Sequence, residues 1–328
     1  MPTIQTLSRR NVLKGSAALT AAGWLGGAAL AKAPLQGVQA PSVYRFKLGA
    51  FEGTVISDGP LSIGDAKPDL FGGLTQQMID GDLASSFLSP RNITLEQNAL
   101  VINTGDKLVL FDSGVGGQSK AFGDKAGRLL SNLKAAGIDP KDIDAVVITH
   151  AHPDHCWGLV DADRAFNFPN AQIYMTEADL QFWTDESKRS MPFVGGMIDP
   201  TRAVLLPLRE RMVFVKDGQE ILPGIHVLST PGHTVGHTSY MITSQGESLC
   251  NTADIAHHHV LVVQNPKVEF GFDTDPKQGA ATRIRMFDML AAQRTMILAY
   301  HFPWPGIGHI AKRGDGFHYT PAPLRTAL

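Results

Sequence analysis

The densest chemistry in the chain lies at THAHPDHCWG, residues 149–158, where His150, His152, Asp154 and His155 fall within six positions. In extended backbone, residues i and i+2 project to one side, so His150 and His152 can grip a single cation together. Pro153 then forces a turn. Beyond it Asp154 and His155 face elsewhere, placed to hold a second cation at the spacing of about 3.5–4 Å used by two-metal hydrolytic sites. Imidazole combined with carboxylate suits zinc, with manganese, cobalt and iron as alternatives. Three further ligands follow. In STPGHTVGH, residues 229–237, Pro231 and Gly232 supply the tight backbone that turns His233 toward the site, completing a three-imidazole set with His150 and His152. NTAD, residues 251–254, ends in Asp254, whose two oxygens suit it to bridge both ions, and His301 completes the second position with Asp154 and His155.

Such residues converge only if strand ends deliver them to one rim of a sheet. Residues 144–149 (DAVVIT) read as a strand buried on both faces, ending directly at His150. Apolar runs at 97–103 and 107–112, separated by Thr104-Gly105-Asp106, read as a hairpin. Leu129, Leu130, Leu133 and Ala136 fall at helical spacing, with Gly137 as the stop. Further strands are expected at 172–175, 212–215, 225–228, 239–243, 248–251 and 295–299, and helices at 177–183 and 277–293. Meandering strands interleaved with helices predict two sheets covered outside by helices, a four-layer α/β sandwich in one domain. A doubly wound parallel sheet is the alternative. The hairpin-like pairs disfavour it, because parallel neighbours need long crossovers.

The 12 histidines stand out in a chain of 328 residues that is otherwise ordinary, with 29 basic and 31 acidic residues and a net charge of -2. Nothing in that balance favours a nucleic-acid partner, whose phosphates call for a basic stripe. Cys156 and Cys250 are the two cysteines, so neither a disulfide scaffold nor a cysteine-rich zinc cage is available. Residues 8–14, SRRNVLK, precede an uncharged stretch rich in alanine and glycine. That pattern is a processing segment, too short and too weakly apolar for a membrane span of about 20 residues. Arg9 and Arg10 in this setting resemble the twin-arginine export signal. The expected organisation is a cleaved signal over 1–31, a flexible mature start over 32–40 and a hydrolase domain over 41–328. The expected destination is periplasmic or secreted, with no membrane anchor after cleavage. Export in the folded state suits a protein that acquires its metal before transport.

Taken together, THAHPDHCWG, TPGHTVGH, NTAD and the Tyr300-His301 pair resemble, in order and spacing, the metallo-β-lactamase superfamily. The runs FEGTVISDG, NTGDKLVLFDSG, TEADLQFW, LPGIHVLS and HFPWPGIGHI look like the methyl parathion hydrolase group within it. The resemblance implies an αββα sandwich, a dinuclear centre, and a metal-bridging hydroxide, held by Asp254, that cleaves phosphotriesters and, as related substrates, aryl esters or lactones. It also implies that Asp112 buttresses the histidine-rich loop, a turn role before Gly114 being the alternative, and that His237 is a structural or hydrogen-bonding residue rather than a ligand. Trp183 and Trp304 are candidates for an aromatic leaving-group wall, with core packing as the alternative. The run His257 to His259 reads as solvated loop, the alternatives being that it lines the pocket mouth, His258 as the pocket candidate, or binds a stray metal. Cys156 and Cys250 read as buried packing. The rival functions are an acyl homoserine lactone lactonase and a non-catalytic periplasmic metal-binding protein. The expected partner is a small molecule, and a homodimer stays open.

Overall fold

The computed structural model describes residues 37, 39–117 and 122–328, of which Ala40–Leu328 close into one compact unit. The expected signal over 1–31, and most of the mature start over 32–40, lie outside the described residues. Two seven-stranded sheets dominate. The first runs in chain order through β1 (Val43–Leu48), β2 (Phe51–Ser57), β3 (Asn98–Asn103), β4 (Leu108–Phe111), β5 (Ala145–Val147), β6 (Gln172–Met175) and β7 (Met212–Phe214). Its pairs are antiparallel up to β4 and parallel from there on. The second runs through β8 (Glu220–Leu222), β9 (Ile225–Ser229), β10 (Thr238–Ser244), β11 (Glu247–Ala253), β12 (Met296–Ala299), β13 (Ile307–Arg313) and β14 (Gly316–Pro321), with β11 and β12 its parallel pair.

Period-two alternation places the layers. Along β4 and β5, Val109, Phe111, Ala145 and Val147 join Ile225, Val227, Tyr240 and Leu298 in a core between the sheets. Leu110 and Val146, on the opposite face, pack with Leu133, Leu180 and Ile198 beneath α2 (Leu129–Ala135), α4 (Glu177–Thr184) and α5 (Gly195–Leu205). The outer face of the second sheet meets α1 (Gln76–Ser85), the short α6 (Leu261–Gln264) and α7 (Pro276–Gln293) through Ile79, Leu83, Cys250, Leu261, Met286, Phe287 and Ile297. Each of these large side chains contributes about 1.5–3 kcal/mol by leaving water. The molecule is therefore an αββα sandwich.

Local signals fix the elements nearest the site. Thr176 caps α4 by accepting from the Asp179 N–H, so Asp179 stands in the first helical turn, pointing back toward the strand ends. Asp275 caps α7 ahead of Pro276, and Arg294 ends it in the left-handed region at φ 55°. Asp112 (φ 62°) and Ala253 (φ 45°) each turn sharply at the end of a strand, a conformation that costs a non-glycine residue energy and recurs where function demands a fixed geometry. No helix among the described residues is long and apolar enough to cross a membrane.

Candidate metal centre

Strand ends at one rim deliver the site. β5 runs out into His150, β9 leads to His233, β11 ends one residue before Asp254, and β12 two residues before His301. The parallel register of Ala253 opposite Ala299 sets Asp254 and His301 side by side. His152 precedes the short helix α3 (Pro153–Cys156), whose turn carries Asp154 and His155 inward. All seven expected ligands are buried, and they meet.

Asp254 is at the centre. Its Oδ2 lies 3.7 Å from His150 Nε2, 3.3 Å from His155 Nε2, 3.4 Å from His233 Nε2, 3.1 Å from His257 Nε2 and 3.0 Å from His301 Nε2. One donor atom from each of His150, His152 and His233 falls within 4.8 Å of the others, and the same holds for Asp154, His155 and His301. Asp154 Oδ2 is 3.5 Å from His155 Nε2 and 3.4 Å from His301 Nε2.

Contacts behind the ring fix each imidazole's direction. His155 Nδ1 faces Asp112 Oδ2 at 3.0 Å, His233 Nδ1 meets Asp273 Oδ1 at 2.8 Å, and His301 Nδ1 meets the Glu96 carbonyl at 2.7 Å. Held this way, each ring offers its Nε2 to the centre, the arrangement by which carboxylates and carbonyls orient metal-binding histidines. His237 does something else. Its Nε2 accepts the Asp254 N–H at 3.1 Å and its Nδ1 lies 2.8 Å from Thr230 Oγ1, so it holds the backbone of Asp254 in place.

The donor set fits a pair of divalent cations. Nε2 of His152, His155 and His233, with Oδ1 of Asp254, are buried and make no hydrogen bond, an expensive state for polar atoms unless something else satisfies them. Burial holds His150 and His152 well below the usual imidazole range, so both are neutral and able to ligate. Burial also pulls on His233, but Asp254 and Asp273 outweigh it and push it up to about 9. Burial raises Asp254, yet His301, His155 and His257 more than compensate and hold its carboxyl well below the carboxylate range. Protons on imidazole thus balance the buried acids, a balance that divalent cations would take over.

A cavity of about 260 Å³ opens above this floor, walled by Leu61, Ile63, Leu95, Phe122, Phe193 and Phe272. Phe193 and Phe272 stack with parallel planes and centroids 5.0 Å apart.

Three sequence expectations need correction here. Trp183 is fully buried and does not border the cavity; its ring packs in the core, its centroid 4.8 Å from that of the His152 ring. Trp304 packs against the core between the sheets and does not border the cavity either. His258 is buried, accepts the N–H groups of Val260 and Leu261 at Nδ1, and lines not this cavity but a neighbouring one, with Arg91 and Glu96, that shares Leu95, His257 and His301 with it. The solvated-loop reading of this run fails most clearly at His257, which is buried against Asp254. Its spacing of three after Asp254 was the available signal.

Asp179 and Asp273 were also missed, because single acids far along the chain carry no local pattern. Asp179 accepts the N–H groups of Ala151 and Gly236 at 2.7 Å each and the Thr234 hydroxyl at 2.9 Å. It ties the His150 loop to the His233 loop.

Comparisons with known proteins agree with this geometry. The family model for the metallo-beta-lactamase superfamily matches residues 93–299, and the chain belongs to that superfamily. A model of the twin-arginine translocation signal matches residues 6–26, which supports export. Within the superfamily, the chain is similar to an N-acyl homoserine lactonase of Bacillus thuringiensis, 25% identical over 176 residues, which are 53% of this chain and 62% of that protein. The chain thus spans less than two thirds of that relative's length. Among solved structures it is similar to AidC, described as a dizinc quorum-quenching lactonase, with TM-score 0.81, 27% identity and coverage of 87% of this chain and 99% of that one. It is also similar to AbOPH, described as a hydrolase in the beta lactamase superfamily, with TM-score 0.80, 30% identity and coverage of 88% and 100%.

Proposed function

We propose that this protein is an exported, dinuclear metal-dependent hydrolase of uncharged esters bearing an apolar group, with acyl homoserine lactones as the first substrate class. The observation that carries the reading is one carboxylate oxygen, Asp254 Oδ2, within 3.7 Å of five imidazoles at the floor of an apolar cavity. His150, His152 and His233 would hold one ion, Asp154, His155 and His301 the other, with Asp254 between them. Zinc is the expected metal, with manganese, cobalt and iron as alternatives. Bound there, the ions would supply an activated water near pH 7 and a Lewis acid for the carbonyl or phosphoryl oxygen.

The chain's own groups do the rest. Phe193, Phe272, Leu95 and Ile63 take the apolar tail and exclude water from the reacting end. Burial and the neighbouring His233 pull His257 down to about 4, so it is neutral at pH 7 and its Nε2–H is placed to donate to Asp254 Oδ2. Asp254 Oδ1 makes no hydrogen bond, and is the acceptor available to take a proton from the attacking water and return it to the leaving oxygen.

The lactone reading rests on the named relatives, two of which are described as lactonases. A second reading, phosphotriester hydrolysis of the methyl parathion kind, is favoured by the aromatic stack of Phe193 on Phe272, which suits an aryl leaving group, and by the sequence run HFPWPGIGHI. Placement in the periplasm or outside the cell follows from the export signal. Hydrolysis rates of acyl homoserine lactones, aryl esters and aryl phosphotriesters by zinc-, manganese- and cobalt-loaded protein test the proposal. A kcat/KM highest on lactones is expected; highest on phosphotriesters favours the second reading, and no turnover on any of the three favours a metal-binding role.

A further inference from the structure

One buried cation has no part in the chemistry above. Arg283, on α7, is 1% exposed, and a guanidinium so placed must be paired and hydrogen-bonded to be tolerated. Its Nε donates to the Ile255 carbonyl at 2.6 Å, and its Nη1 to the carbonyls of Pro266 at 3.0 Å and Val268 at 2.7 Å. Its Nη2 lies 3.6 Å from Asp273 Oδ2. Two of these contacts lead straight to the metal centre. Ile255 directly follows Asp254, and the other oxygen of Asp273 meets His233 Nδ1 at 2.8 Å. One side chain therefore spans from the backbone of the central carboxylate to the acid that orients a ligand histidine.

The surroundings are built around the same loop. Thr274 gives its N–H to the His233 carbonyl at 2.9 Å, and Thr282 gives its hydroxyl to the Pro231 carbonyl at 2.7 Å. A Cβ at Gly279 would stand 2.5 Å from Asp273 Oδ2, so the helix leaves room there for that carboxylate.

We propose that Arg283 is a positioning residue for metal binding: through Asp273 and the Ile255 carbonyl it sets the approach of His233 Nε2 to Asp254 Oδ2. That approach is 3.4 Å in this structure. The inference rests on the dinuclear reading, and it makes a claim of its own, that Arg283 acts on the position held by His150, His152 and His233. The position held by Asp154, His155 and His301 has separate supports in Asp112 and the Glu96 carbonyl.

The test is competition between the full chain and a chelator for zinc alone, resolved into two binding steps, on wild type, Arg283→Met, Arg283→Lys and Asp273→Asn. Absorption spectra of the cobalt-substituted proteins assign each step to a position. Arg283→Met is expected to weaken the His150–His152–His233 position about 10–100-fold, the range for losing a partner of a ligand, and to leave the other position within threefold. In the same variant kcat falls while KM stays within twofold. Arg283→Lys keeps a buried cation near Asp273 but lacks the fork that also reaches the Ile255 carbonyl, so it is expected to give a smaller loss at the same position even if Arg283→Met fails to fold. Asp273→Asn acts on His233 directly and gives the pattern of selective loss that both Arg283 variants should match. Unchanged affinity at that position, or equal loss at both, overturns the role of Arg283. A wild-type chain that takes up no zinc overturns the metal centre itself, a distinct failure.

Discussion

The Asp112 carboxylate stands 3.0 Å from His155 Nδ1, while His155 Nε2 on the far side of the ring faces Asp154 and Asp254. The same carboxylate accepts the Thr149 N–H at 2.8 Å and touches the Thr149 hydroxyl. Asp112 thus fixes both the start of the histidine-rich loop and the direction of one of its ligands.

Replacement of that carboxylate tests the linkage. Asp112 sits at φ 62°, where asparagine is tolerated and a branched residue is not, so Asp112→Asn is the conservative change. The variant is expected to fold and to bind its second ion about 10–100-fold more weakly, as read by chelator competition. Unaltered affinity at both positions would return Asp112 to a turn role.

Asp254→Asn removes charge at the point where five imidazoles converge. The side chain keeps its shape, so circular dichroism should match wild type, while turnover should fall by about 10²-fold or more, on the scale of losing a preorganised electrostatic group. Near-normal rates would remove Asp254 from the reaction.

Phe193 lines the cavity and stacks on Phe272, and the residue is half exposed. Phe193→Ala should raise KM about 10-fold for substrates with long apolar tails and leave short-tailed ones little changed, since each buried methylene is worth about 0.8 kcal/mol. A KM that moves equally for both would separate Phe193 from tail binding.

Much of this architecture is legible in the chain, and the exceptions have physical causes. The strands at 145–147 and 172–175 announce themselves as short apolar runs between breakers, and the candidate metal ligands as dense histidine and acid just past the first of them. The helix Gly195–Leu205 does not, because Pro200 lies inside it and only packing of Ile198, Val204 and Leu205 keeps it helical. Three consecutive histidines look polar. That His257 is buried against Asp254 while His258 turns to backbone N–H groups depends on a loop path no local pattern encodes. Trp183 shows the converse, since its identity promised an aromatic surface but the face of α4 that carries it points into the core. Asp179 and Asp273 act through partners 57 and 40 residues away, beyond any motif.

Asp58 gives a pH dependence. Burial raises its carboxyl to about 7, against backbone N–H groups of Val115 and Leu129 that favour the charged form. The folded state therefore holds a proton between about pH 4 and 7 that the unfolded state has released, and stability falls as pH rises through that window. Asp58→Asn should remove this component. In urea unfolding, wild type should lose stability relative to the variant from pH 4 to 7, with no further relative change above 7.5. A difference that is flat across the window would contradict the buried-acid assignment.

The central claim is most directly tested by counting metal in the purified full chain and in His301→Ala by inductively coupled plasma mass spectrometry. The account predicts two divalent ions per wild-type chain and one in the variant, which keeps His150, His152 and His233 and loses a donor at the other position. Fewer than two ions in wild type, or two retained without His301, would contradict it.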